Sequence, residues 1–464
     1  MTPTVPEAAS VSMRMPTPRT RPRPSLAPQG VRPSPWTLLL LLSCFLLPVS
    51  LIPSTRGRTL PVPFVGPVWW TDAIAVPVAL GLLALRLSRL LPYGLTRSTR
   101  RWFVGPMILL GGWQIASITW NGRDSTMKGY SALESMVMCG AVVTAALLGS
   151  GLTDHQRRRF ARLVTLLLGG IVAVYVMLSF VFPSWRPSAA WANLITPALG
   201  FIRVYGPLGS STTLNLVLVP ALAVSLGGIF ARGSLKPWWA MAATLFLLAI
   251  LATGSRGALL CLAGFSFALM IALRIRSLAI VVPCVTLFST IILIVGVPDR
   301  FRSFEDQSRA TSYATAWRSF TASPSALLIG QGHGAIYSRL HDESMRQELG
   351  QHRWYLISDT TEFGETLRSS HTALLRTLAE TGAVGGLLLY GTLGWIVLHL
   401  LRGGAPRRRE YVLEGKVLLA GCVGVIPYMA FDEFFVGTPW LVMLWSLFVV
   451  LGTEMVGTRV GAKR

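Results

Sequence analysis

Apolar residues come in successive runs separated by short polar segments rich in Arg, Pro and Gly. Each run is close to the roughly 17 to 25 residues that a helix needs to cross a hydrocarbon core about 30 Å thick. Lipid gives an unpaired backbone no water to bond, so such runs predict helices rather than loops. The pattern places spans at Trp36 to Ile52, Val68 to Leu91, Trp102 to Trp120, Tyr130 to Gly149, Phe160 to Phe182, Thr212 to Phe230, Trp238 to Ala252, Gly257 to Leu273, Leu278 to Val297, Thr381 to Leu401, Lys416 to Phe431 and Trp440 to Val456. The predicted fold class is an all-α integral membrane protein of about 12 transmembrane helices.

Three polar segments break the rhythm. Residues 1–35, rich in Pro, Ser, Thr and Arg, predict a disordered basic tail. This tail is too long and Pro-rich for a signal-peptide n-region and no cleavage site follows the first apolar run, so that run reads as a retained helix. Residues 36–297 then form a nine-helix membrane region, and 298–370 form one large loop with nearly balanced charge. A loop of that length usually carries function. Within it, Ser308 to Ser323 reads as an amphipathic helix with Arg309, Tyr313, Trp317 and Phe320 on one face, stopped by Pro324. Residues 371–457 hold a re-entering helix, begun at Ser369 or Ser370, and the last three spans; 458–464 are a short tail.

Composition agrees: 52% of the 464 residues are hydrophobic and 13% charged, too few charges for a water-soluble domain of this length. The net charge of +22 would suit nucleic acid if it were concentrated, but the basic residues sit in short clusters between apolar runs. Topology explains them. With the N-terminus in the cytoplasm, Arg86 to Arg101, Arg157 to Arg162, Arg232, Lys236, Arg274, Arg276, Arg402 to Lys416 and the C-terminal Lys463 and Arg464 all lie inside. The opposite short loops hold only Arg56, Arg58, Arg123, Lys128, Arg186, Arg203 and Arg256, as the positive-inside rule requires, and the large loop faces outward. The five cysteines lie within apolar runs without CxxC spacing, which indicates neither a disulfide framework nor a zinc site.

Four outward positions are candidates for chemistry. Arg203 opens the stretch running to Asn215, and Arg256 lies in Thr253-Gly-Ser-Arg-Gly257, between two spans so close that it sits at the outer membrane surface. Arg309 opens the loop helix, and His371 stands in the first turn of the re-entering one. Each has a structural alternative: Arg203 snorkelling to headgroups, Arg256 closing a helical hairpin, Arg309 a solvated loop residue, His371 a packing histidine. Together they suit a diphosphate, because arginines fork onto phosphate oxygens, and a helix N-terminus keeps a histidine neutral and able to accept a proton. Gly330-Gln-Gly-His-Gly334 looks like a piece of a dinucleotide fingerprint, but no strand precedes it, and it reads as a flexible turn. His341, His352, Asp359, Glu362 and Glu365 have no diagnostic metal spacing.

The chain resembles the O-antigen ligase and Wzy-type polymerase superfamily of bacterial envelope enzymes. Four stretches between about residues 190 and 400 carry the likeness: Arg203 to Asn215; Leu251 to Leu260 around Ser255-Arg256-Gly257; Arg309…Trp317…Gly330-x-Gly332; and Ser370-His371-Thr372…Glu380-Thr-Gly382-Ala-Val-Gly385. The family commonly has Asn after the histidine; here it is Thr372, whose hydroxyl still hydrogen-bonds. The resemblance implies a GT-C-like membrane enzyme of the cytoplasmic membrane that takes a glycan from an undecaprenyl-diphosphate carrier and transfers it to a hydroxyl of lipid A core, another glycan or a protein. It implies His371 as the base, Arg203, Arg256 and Arg309 as the diphosphate cradle, and no metal or other cofactor. A glycan transporter or flippase is the competing class, expected to show broken helices and charges near the midplane.

Overall fold

The computed structural model describes residues 59–62, 66–69, 95–121, 125–150, 152–182, 213–231, 235–253, 255–273, 307–336, 360–361, 364–365, 372–402, 410–429 and 439–457. All fall within one compact unit, Pro33–Arg464. Its helices are α1 (Arg97–Trp120), α2 (Ser125–Ser150), α3 (Asp154–Val164, continued through a π-turn by Gly170–Val181), α4 (Thr213–Phe230), α5 (Lys236–Ala252) and α6 (Arg256–Leu273). They continue with α7 (Gln307–Phe320), α8 (Pro324–Ile329), α9 (Ala373–Arg402), α10 (Glu410–Gly424), α11 (Ile426–Met429) and α12 (Pro439–Gly457).

Five described stretches are long and apolar enough to cross a membrane: Arg97–Trp120, Ser131–Ser150, Asp154–Ser179, Ala373–Leu401 and Tyr411–Met429. Four shorter apolar helices, Leu214–Phe230, Lys236–Ala252, Gly257–Leu273 and Val442–Gly457, complete the set among the described residues. These correspond to nine of the expected spans. The other three, Trp36 to Ile52, Leu278 to Val297 and most of Val68 to Leu91, lie outside the described residues, as do the two tails.

The apolar core runs through α1–α6, α9, α10 and α12. α10 is its axis, packed on α4, α6 and α12. The Tyr411–Met429 window is 78% buried, against 39% for α1 and α9, which therefore line the perimeter. Small residues make the central approach possible: a Cβ on Gly424 would stand 2.7 Å from the backbone of Phe265, so α6 and α10 touch main chain to main chain. Between lipid-embedded helices, where no hydrophobic force distinguishes neighbour from solvent, such close packing is the main source of association.

Two short antiparallel hairpins qualify the all-α expectation. β1 (Thr59–Val62) pairs with β2 (Gly66–Trp69), with Thr59 opposite Trp69, so Val68 and Trp69 are strand where the second span was expected to begin. β3 (Thr360–Thr361) pairs with β4 (Gly364–Glu365) in the large loop.

The expected loop helix is present as α7, but two of its details differ. It stops at Phe320; Pro324 begins α8 in the N-terminal position where its missing N–H costs nothing, and the Ser323 side chain caps that helix by accepting from Ala326 N at 3.1 Å. The face that holds Tyr313, Trp317 and Phe320 does not pack as a unit: Phe320 lies against the inward cluster and Trp317 does not. Ala316, Thr315 and Ser319 point inward, Ala316 joining Ala379 and Ile336 in a small cluster, while Trp317 is exposed and stacks on Phe320. Small side chains let α7 lie close on α9; a Trp at that contact would hold the helices apart.

At the end where α1 begins, charges expected to be simple topological anchors are in fact paired. Arg157 bonds Asp154 at 3.0 Å and meets Glu454 at 3.5 Å, and Thr96 donates to the same Glu454 through N and Oγ1. Arg158 and Arg162 converge on Glu414 at 2.6 and 2.8 Å, and Arg162 lies over the Trp239 ring. This end ties together α1, α3, α5, α10 and α12.

Candidate functional site

The opposite end of α1 holds the structure's other charged cluster, and it is built around a break. α9 is continuous except at Gly382, whose φ of 66° and ψ of −164° lie outside the helix. The first half, residues 373–381, therefore ends in carbonyls with no helical partner. Neighbouring segments satisfy them: Gln331 N donates to Ala379 O and Gly332 N to Glu380 O, both at 2.9 Å, and Trp113 Nε1 donates to Thr381 O at 3.0 Å.

The fit demands glycine on both sides. A Cβ on Gly382 would stand 2.4 Å from Leu328 O, and one on Gly330 would stand 2.3 Å from the carbonyl of Glu380. Gly330, Gly332 and Gly334 also have positive φ, which side chains other than hydrogen rarely adopt. The Gly330–Gly334 segment, expected to be a flexible turn, is thus a rigid plug in the broken helix. Spacing alone hid this, because its partner carbonyls come from a helix some fifty residues away.

The plug delivers His333 to a buried position. Its N–H donates to Ser117 Oγ at 2.9 Å and its carbonyl accepts from Asn121 Nδ2, so both backbone groups are held by the last turn of α1. The ring lies between two carboxylates. Nδ1 is 2.8 Å from Glu380 Oε2, and Nε2 is 3.4 Å from Glu134 Oε2, where it is not aligned as a hydrogen bond. Arg376 closes the ring of charges, its Nη2 3.2 Å from Glu134 Oε2 and its Nε 3.1 Å from Glu380 Oε2. The side chains of His333, Arg376 and Glu380 are each at most 3% exposed.

Burial works against a charged imidazole, but the Glu380 carboxylate, with Glu134 behind it, outweighs this and holds the His333 pKa above its ordinary value. With His333 protonated and both carboxylates ionised the four groups sum to zero charge, the balance a buried ring of charges needs. A small cavity opens beside them, lined by Gln114, Glu134, His333, Arg376 and Glu380 among polar groups and by Ala373 at the start of α9.

The cluster lies at the ends of the spans. Residues 383–402 of α9 alone make about 30 Å of helix, enough to cross a bilayer. Arg376 and Glu380 sit on the half before the break, Glu134 near the start of its apolar stretch, and Ser117 and Asn121 at the end of α1.

Of the residues marked by sequence, Arg203 and His371 lie outside the described residues. Arg256 is the first residue of α6 and Arg309 the third of α7, their side chains outside the described set. His341, His352, Asp359 and Glu362 are likewise outside, and Glu365 is seen only as backbone of β4. One expectation changes. α9 begins at Ala373 with Thr372 as its cap, the Thr372 hydroxyl accepting from Leu375 N at 3.2 Å. His371 therefore precedes the cap instead of standing in the first helical turn.

Sequence reasoning missed Glu134, Arg376 and the buried role of His333. Arg376 and Glu380 were legible as an i, i+4 pair, but nothing in the sequence joins them to Glu134.

No family model matches the chain. No curated protein matches it either, so the likeness to O-antigen ligases and polymerases rests on its four stretches alone.

Proposed function

We propose that the chain is a membrane glycosyltransferase of the O-antigen ligase or polymerase type. It moves a glycan from an undecaprenyl-diphosphate carrier to an acceptor hydroxyl at the outer face of the bacterial cytoplasmic membrane. One observation carries this reading: the interlock of Gly330–Gly332 with Ala379–Gly382. Two stretches of the family resemblance, far apart in the chain, close on each other through backbone hydrogen bonds at the end of the spans. That arrangement fixes the first half of α9, whose cap Thr372 directly follows His371. A rigid helix start beside the bilayer surface is where a lipid-linked donor has to be met.

In the reaction the acceptor oxygen attacks the anomeric carbon while the bond from that carbon to the diphosphate breaks. The bonding pair leaves with the diphosphate, and the hydroxyl proton passes to His371. Arg203, Arg256 and Arg309 hold the diphosphate and neutralise its growing charge, the work a metal ion does in other transferases.

A second reading has an observation of its own. A glycine-broken helix beside buried ionisable groups is also how transporters build ion-coupled sites. What favours the transferase is position: transporter sites lie near the midplane, whereas Arg376 and Glu380 fall in the first two turns of the Ala373–Leu401 stretch, ahead of the break at Gly382.

The test is purified protein in lipid discs, supplied with undecaprenyl-diphosphate glycan and lipid A core or a second lipid-linked glycan. A new glycosidic bond with release of the carrier diphosphate is expected, lengthened glycan marking a polymerase and glycan on lipid A core a ligase. Movement of intact donor across a proteoliposome bilayer with no bond formed overturns the reading in favour of transport.

A further inference from the structure

Three atoms facing the cavity beside the charge ring are buried and have no hydrogen-bond partner among the described residues: Gln114 Oε1, Glu134 Oε1 and His333 Nε2. Gln114 is 8% and His333 2% exposed, so bulk water does not serve them. Buried polar groups left unmade cost more than a made bond gains, and a site that keeps three of them facing one space is built around something.

The chemistry of the three atoms specifies what fits. His333 Nδ1 faces the Glu380 carboxylate, an acceptor, so Nδ1 carries a proton. Were Nε2 bare, its lone pair would face Glu134 Oε2 at 3.4 Å; as N–H it is a donor, in accord with the raised pKa of this ring. These three atoms offer one donor and two acceptors, beside the Arg376 guanidinium and the Glu380 carboxylate on the same lining. About 20 Å3 of the cavity is open to the centre of a water molecule, above the roughly 10–15 Å3 that one water needs. Its other walls are the apolar Leu110, Met138 and Ala373, the Arg376 and Glu380 side chains of the charge ring, and Thr377, whose hydroxyl donates to Ala373 O.

We infer that the cavity is a binding site for one hydroxyl oxygen, which accepts from His333 Nε2–H and donates to Glu134 Oε1 or Gln114 Oε1. A water, with two hydrogens, satisfies all three atoms. The hydroxyl of an acceptor sugar satisfies two and displaces that water. The sugar as source rests on the transferase reading; the site itself does not. His333 and Glu134 in this arrangement bind and orient, and no proton need leave either.

Magic-angle-spinning NMR of the full chain in lipid discs, with 15N-labelled histidine, tests this. His333 is assigned among the six histidines by comparison with His333→Gln. Magnetisation transfer from water to His333 Nε2–H is expected, as for a site one bond from water. Gln114→Leu removes an acceptor and Leu110→Phe fills the cavity without removing one; both are expected to abolish the transfer. A retained Nδ1–H signal to Glu380 reports that the fold is intact. Absence of transfer in the parent, or its persistence in both variants, overturns the site. Adding 13C-glucose separates the sources: contact from a sugar carbon to Nε2–H in place of water marks an acceptor subsite, and unchanged water transfer marks a resident water. If the site stands and transferase activity fails, the oxygen belongs to a structural water alone.

Discussion

Replacing Gly382 by alanine attacks the interlock at its tightest point. The φ of 66° costs a residue with a Cβ about 1–2 kcal/mol by itself. The new methyl would also stand 2.4 Å from Leu328 O and 2.5 Å from Ile329 N and Gly330 N. These are backbone atoms of a short helix and its cap, so relief requires the plug to withdraw. Withdrawal breaks the bonds from Gln331 N and Gly332 N to the carbonyls of α9, each worth about 0.5–1.5 kcal/mol net. Together the loss is on the order of 2–5 kcal/mol. Thermal unfolding of the purified protein, followed with a thiol-reactive dye that reports exposure of buried Cys261 and Cys422, measures it. Gly391→Ala is the control: it lies in the same helix with nothing within 4 Å of a new Cβ, and is expected to stabilise by about 0.5–1 kcal/mol. Equal stability of Gly382→Ala and the parent would refute the interlock.

Arg376→Met leaves Glu134 and Glu380 with His333 alone to balance two carboxylates, and should cost about 3–5 kcal/mol in the same unfolding assay, with Glu134→Gln in the double variant returning part of it. The pH dependence follows from His333, faced by Glu134, Glu380 and Arg376: its pKa is raised on folding, so the stability it contributes is complete below the ordinary histidine value and is lost as pH rises through the folded value. Melting curves across that interval should fall with pH in the parent and stay flatter in His333→Gln; parallel curves would show that the ring does not titrate as a unit. Arg256→Lys keeps charge but loses the planar fork, so glycan transfer should drop strongly at unchanged membrane abundance, and full activity would rule out bidentate phosphate binding there.

Helices were legible in the sequence because crossing lipid imposes one simple demand, a long apolar run. The nine described apolar helices fall where that demand put them, with α9 starting eight residues ahead of the expected Thr381 because the re-entering helix runs on into the span. What stayed hidden depends on contacts between distant segments. The Gly330–Gly334 segment looks like any glycine-rich turn until the carbonyls of 379–381 are known to lack partners. Spacing put Tyr313, Trp317 and Phe320 on one face of α7, but the small residues Ala316 and Ser319 are the ones buried, with Phe320 against them and Trp317 exposed. Arg157, Arg158 and Arg162, read as topological anchors, are also held in ion pairs, since Glu414 and Glu454 reach them from the other half of the chain. The candidate site was half legible: Glu380 and Gly382 stood in a quoted stretch, whereas Glu134 lies in an apolar run as an isolated charge, the kind that is functional by default in a membrane helix.

The central claim is tested most directly at His371. Purified protein in lipid discs, given lipid-linked donor and acceptor, reports donor binding and glycan transfer separately. General-base help is worth about 100- to 10,000-fold, so His371→Ala should lower transfer by at least the smaller factor while donor binding, held by the arginines, remains. Transfer by His371→Ala at the parental rate would contradict the account.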